Sequence, residues 1–133
     1  MQTKTIKQTA SFKATPEQIY ELLLDSKTIS ALTGGAAKIS RKPKGKFEVF
    51  DGYCHGYNME LEPGKTIVQA WHFAEDGWPD NHYSICTFAL APAGKGTKLS
   101  FTQTDIPVHK AKALAGGWKE YYWEPIKAYL ANK

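Results

Sequence analysis

The sequence predicts an α+β domain: an opening strand, two short helices, an antiparallel sheet, and a long C-terminal helix laid across that sheet. Three observations carry the reading. Thr15-Pro16-Glu17-Gln18 is a helix-start signature. From about residue 36 onward, apolar and polar residues alternate between Gly- and Pro-marked turns. The ending GGWKEYYWEPIKAYL, residues 116 to 130, returns to helical spacing.

Taken in order, TKTIKQTASFK (3 to 13) alternates loosely and suits a first strand. Thr15 can cap the next helix, Pro16 fits its first position, and Ile19, Tyr20, Leu22 and Leu23 supply an apolar side, so residues 16 to 25 form a helix. SKTISALTGG continues as a second short helix, with Ser26 as its cap and Gly34-Gly35 as its stop. FEVF and YCHGYNMEL flank Asp51-Gly52, a two-residue hairpin signal. LEPGKTIVQAWHF turns at Pro63-Gly64. After the polar loop AEDGWPDN, HYSICTFALAP and TKLSFTQTD pair across APAGKG. From about residue 108 the chain is helical. About six strands result, and residues 1 to 133 make one domain.

An antiparallel sheet buries one face. Alternation assigns to it Phe47 and Val49; Tyr57, Met59 and Leu61; Ile67, Trp71 and Phe73; Cys86, Phe88 and Leu90; Leu99 and Phe101. On the last helix Trp118, Tyr121, Tyr122, Trp123, Pro125, Ile126, Tyr129 and Leu130 share an arc of roughly 200°. Burying five such rings is worth on the order of 20–25 kcal/mol gross, so their first duty is to close the core. A core needing only density would favour Leu, Ile and Val, and a ring-rich lining with polar tips is also what ligand cavities use. Both readings, filled core and core with cavity, stand at this level. Pro125 leaves the Tyr121 carbonyl without its helical donor and predicts a bend.

Composition narrows the function. Of the 133 residues 42% are hydrophobic and 23% charged, ordinary for a globular domain, while the aromatic share of 13% is high. Cys54 and Cys86 lack CxxC spacing and read as small buried side chains in a reducing compartment. No run of about 18 apolar residues appears, and the amino terminus has no apolar leader, which predicts a cytoplasmic protein without a membrane span. His55, His72, His82 and His109 lack metal-binding spacing, AGKGTKL runs into a strand and is a hairpin turn, and no nucleophile motif is present. No metal, cofactor or catalytic residue is predicted. Asp105 and His109 are close enough in sequence for an acid/base pair, though polar groups near a helix start have the same look. The basic run Lys38, Arg41, Lys42, Lys44 and Lys46 lacks interleaved aromatics, so it suits an acidic partner or a solvated edge and not nucleic acid.

GYNMELEPGKTIVQAWHF, GWPDNHYSICTFAL, GKGTKLSFTQTDIP and the ending GGWKEYYWEPIKAYL together resemble the C-terminal domain of the activator of heat-shock protein 90 ATPase family. The E-P-G-K turn with V-x-x-W after it, the Trp78-Pro79 pair and G-W-x-x-Y-Y are the most specific pieces. That family belongs to the START-like or SRPBCC superfamily of helix-grip folds, with the birch pollen allergen, lipid-transfer domains and polyketide cyclases. The resemblance spans essentially the whole chain. It implies a curved sheet of about six strands gripping the C-terminal helix, often around a hydrophobic cavity, and a link to the stress response. The full co-chaperones carry an additional N-terminal domain to which nothing here corresponds.

Three functional expectations follow. The first is a stand-alone module holding a small hydrophobic or aromatic molecule between sheet and helix, lined by Tyr57, Met59, Trp71, Phe73, Cys86, Phe88, Phe101, Trp118 and Tyr122. The second is a co-chaperone-like module whose partner, a heat-shock protein 90, meets the basic run and an exposed loop around Trp78. The third is a cavity enzyme of cyclase or dehydratase type, with His55 and His82 as inward candidates. A monomer or weak homodimer is expected.

Overall fold

Thr15 caps the first helix as its spacing requires: its hydroxyl accepts from the Gln18 N–H (3.2 Å), and the Gln18 side chain accepts from the Thr15 N–H (2.8 Å). In this computed structural model, which describes residues 2–131, strand β1 (Thr3–Phe12) leads into α1 (Pro16–Leu23) and α2 (Ser26–Thr33). Asp25, not Ser26, caps α2. Ser26 instead accepts the Ile39 N–H, tying the helix to the strand that follows. Gly34 closes α2 in the left-handed region at φ 82°.

The hydrogen bonds that Asp25 receives from the N–H and hydroxyl of Thr28 hold its carboxyl below the ordinary 3.8. A carboxyl acidified by folding adds stability that is full above its unfolded pKa and is lost as pH falls through the folded one. Asn is as good a cap but cannot titrate. The Tm gap between wild type and Asp25→Asn is therefore expected to shrink as pH is lowered from about 7 to about 2, which thermal scans at the two values would check.

Seven strands, one more than expected, form a single antiparallel sheet in the order β1-β7-β6-β5-β4-β3-β2. The extra strand is β2 (Lys38–Ile39), two residues paired with β3 (Lys46–Val49). β4 (Cys54–Glu62), β5 (Thr66–Phe73), β6 (Ser84–Ala93) and β7 (Gly96–Pro107) follow as hairpins. The predicted two-residue turn at Asp51-Gly52 is instead a four-residue connection. Val49 pairs with Cys54, and Phe50, Asp51 and Gly52 all take positive φ. Asp51 is held there by exchanging backbone and side-chain hydrogen bonds with Ala36.

The buried face matches the alternation on every strand assigned from it except β4. Tyr57 and Met59 lie on the opposite face, 40% and 46% exposed, while Cys54, Gly56 and Asn58 point inward. A register shift between Asn58 and Glu60 then returns Leu61 to the inner side. The inward residues of β4 are a glycine and an amide, so its apolar pattern reports the wrong face.

The C-terminal helix runs from α3 (Ala111–Trp118) through a π turn (Lys119–Trp123) into α4 (Glu124–Ala131). Pro125 has no N–H to offer Tyr121, and the chain takes up one extra residue just before it, with the Glu124 N–H bonded to the Lys119 carbonyl. The turn changes the helical phase. Trp118, Tyr122, Trp123 and Ile126 are buried, whereas Tyr121, at one edge of the predicted arc, is 47% exposed.

The indole N–H groups of three inward tryptophans each meet a glutamine. Trp71 donates to Gln69, Trp118 to Gln103 and Trp123 to Gln8, at 2.8–2.9 Å. Each glutamine uses its own amide in turn, on Asn58, Ser84 and the Ala115 carbonyl respectively. Among the described residues no buried side-chain polar atom is left unpaired.

Candidate functional site: a ring-lined groove

Two spaces lie between sheet and helix, and they differ in kind. The inner one, bounded by Leu23, Phe47, Ile67, Trp71, Phe88 and Tyr122 among others, measures about 10 Å³, room for one water at most. The outer one is a groove of about 530 Å³, within the size range of small-molecule sites. Its walls are Phe50 and Tyr53 from the β3–β4 connection, Cys54, Trp71 and Phe73 from the sheet, and Gly117, Trp118, Tyr121 and Tyr122 from the helix. Glu75 and Lys110 stand at its polar side.

Four of the predicted lining residues, Trp71, Phe73, Trp118 and Tyr122, are thus brought together on the groove. Cys86, Phe88 and Phe101 are not on it. They are 0–2% exposed and packed into the closed core, where Phe101 lies 4.5 Å from the Trp118 ring. Tyr57 and Met59 are excluded from either space by facing the other side of the sheet. Sequence reasoning passed over Phe50, Tyr53, Glu75, Lys110 and Tyr121. Gly117 lies on the groove as well: nothing lies within 4 Å of the place its Cβ would occupy, and that open space is the groove.

Local structure fixes the polar side. The Ala74 N–H bonds the Tyr53 carbonyl and the Trp78 N–H bonds the Glu75 carbonyl, so the loop after β5 is pinned against the groove mouth. There the Tyr53 hydroxyl donates to Glu75 Oε2, and Lys110 Nζ lies 3.7 Å from Glu75 Oε1. Partial desolvation and the Glu75 carboxylate push the Tyr53 phenol well up, keeping it a neutral donor. Burial, with the same carboxylate behind it, pushes the Cys54 thiol up, so it is protonated and a poor nucleophile at neutral pH. Burial also raises Tyr122. The groove therefore presents rings, one engaged carboxylate, one ammonium and no thiolate.

Trp78 is not on an exposed loop. It is 5% exposed, its ring packed at a tilt 4.7 Å from that of Phe73, with its N–H on the His82 carbonyl. His55 faces outward, paired with His72 across the strands and flanked by Tyr83. His82 lies within 2.7 Å of the Asp105 carbonyl through Nε2 and staples its loop. The Asp105 carboxylate accepts from Thr104, and among the described residues no hydrogen bond joins it to His109. Lys38, Arg41, Lys42, Lys44 and Lys46 are all exposed around β2, where Arg41 pairs with Glu21 and the Leu24 carbonyl.

A family model of the Activator of Hsp90 ATPase homolog 1-like protein type matches residues 13–131. The chain belongs to that family. Among relatives of the Activator of Hsp90 ATPase homolog 1-like family, the human activator of 90 kDa heat shock protein ATPase homolog 1 is 31% identical over 92% of this chain and 35% of its own length. The Dictyostelium discoideum activator homologue is 30% identical over 94% of this chain and 32% of its own. The chain thus spans about a third of the length of these curated relatives. The crystal structure of an HSP90 activator from Plasmodium falciparum superposes with a TM-score of 0.88 at 25% identity, covering 96% of both chains. Among the described residues no helix is long and apolar enough to cross a membrane.

Proposed function

We propose that this domain binds a small, ring-bearing apolar molecule in the groove between sheet and C-terminal helix. One observation carries the reading: about 530 Å³ of open space walled by seven aromatic side chains, beside a core otherwise filled to about one water. Rings offer area at little cost in side-chain entropy, and their stacking suits flat ligands. A panel of flavonoids, sterol-like compounds and fatty acids, followed by tryptophan fluorescence and thermal shift, is the first test.

Gly117→Leu is the decisive variant. Its side chain enters the groove without meeting a neighbour at Cβ, and leucine is a better helix former than glycine by about 0.8–1 kcal/mol. Expected is a variant at least as stable as wild type with ligand binding reduced about tenfold or more. Panel members that bind wild type and Gly117→Leu alike, or no binding below about millimolar, would remove the reading.

A second reading, a module acting on a 90 kDa heat-shock protein, is favoured by the relatives whose names state that activity. The exposed basic residues Lys38, Lys42, Lys44 and Lys46 are its candidate surface, since Trp78 is buried. A pull-down and an ATPase assay with the chaperone, with and without nucleotide, separate the two. Absence of both complex and stimulation sets this one aside.

A further inference from the structure

We propose that the groove selects an aromatic acid, a flat apolar body carrying one anionic group, and that Lys110 is the residue that recognises the anion; this rests on the groove being a ligand site. The hydrogen-bonding inventory at the mouth is unbalanced in one direction. Of the two Glu75 oxygens, Oε2 accepts from the Tyr53 hydroxyl and Oε1 is ion-paired with Lys110. Lys110 has three N–H donors, and among the described residues its ammonium has a single partner, Glu75, at 3.7 Å, beyond hydrogen-bond reach. The lysine side chain is only 20% exposed, so water has restricted access to those donors.

Lys110 is also held in place. Gly77, at φ 87°, lies so close that a Cβ there would sit 3.2 Å from the lysine Cε, and the loop covers the stem. Lys110 immediately precedes α3, whose Ala113 and Leu114 belong to the groove wall, so the positive end of a helix adds to the same field. A cationic ligand would meet an ammonium, and a carboxylate whose charge is already paired with that ammonium. A neutral one would leave the donors unused. An anion attached to a ring seated against Trp71, Trp118 and Tyr121 completes them.

Two fluorescent probes share one aromatic body and differ in charge: 8-anilinonaphthalene-1-sulfonate and neutral N-phenyl-1-naphthylamine. On the full chain the sulfonate is expected to bind about tenfold more tightly, from one added charge-assisted hydrogen bond. Lys110→Met should remove most of that preference while moving the neutral probe by less than about twofold, and Lys110→Arg should keep it. Gly117→Leu should weaken both probes, which locates them. Equal binding of the two probes, unmoved by Lys110→Met but abolished by Gly117→Leu, overturns the selectivity and leaves the groove intact. Binding of neither probe, or binding indifferent to Gly117→Leu, overturns both. Thermal scans of each variant exclude a folding defect as the cause, and Lys110→Arg decides the question if Lys110→Met is unstable.

Discussion

Gly56→Ala is expected to lose about 4 kcal/mol or more of stability, or to fail to accumulate as folded protein, although it adds a single methyl group. Gly56 is an inward position of β4 opposite Trp71 of β5. A Cβ there would lie 1.7 Å from the Ala70 carbonyl oxygen, 2.8 Å from its carbon and 3.1 Å from Cζ of Phe47. The first two are backbone of the neighbouring strand, so no side-chain rotation relieves them and the strands must separate. Separation would disturb the Phe47–Trp71 ring contact at 5.0 Å and the Asn58–Gln69 hydrogen bond beside it. Urea denaturation and far-UV circular dichroism would measure the loss. A midpoint shift equivalent to less than about 1 kcal/mol would show that the strand spacing is softer than argued.

Trp118→Ala should cost about 3–5 kcal/mol, the range for deleting a large buried ring. Trp118 is where the helix meets the sheet: its ring is 4.5 Å from Phe101, 5.0 Å from Trp71 and 4.8 Å from Tyr122, and it stacks on Trp123 at 5.7 Å. The residue also has a polar duty, since its N–H bonds Gln103 Oε1, whose amide bonds Ser84. Trp118→Phe separates the two. It keeps most of the packing but leaves the buried Gln103 oxygen without its donor, for about 1–3 kcal/mol. If Trp118→Phe were as damaging as Trp118→Ala, the hydrogen bond and not the ring would dominate the site. Urea midpoints on both variants settle the order.

How far the groove was legible depended on which residues build it. Trp71 and Phe73 stand out because β5 alternates with large rings on its inward side, and Trp118 and Tyr122 because they lie one turn apart on a helix. Gly117 carries no such mark, since its contribution is the side chain it lacks. Tyr53, Glu75 and Lys110 come from three separate connections, and only their meeting makes them a set. Tyr57 and Met59 failed for a related reason. Apolar identity counts as a vote for the buried face, but Gly56 and Asn58 hold that face through close approach and hydrogen bonding, neither of which periodicity detects.

The helix ends were readable because capping is local chemistry: Thr15 and Gln18 complete each other within one turn, and Gly34 supplies the left-handed stop. Strand order followed as far as hairpins connect neighbours, and the family resemblance agreed with it. Decided elsewhere were the π turn before Pro125, the inward folding of Trp78, the glutamine partner of each inward indole, and above all the division of the sheet–helix space into a filled half and an open one. Sequence spacing reports which face a residue takes, averaged over one element. Whether two such faces close completely depends on volumes and hydrogen bonds summed across residues far apart in the chain, and that sum exists only once the helix lies on the sheet.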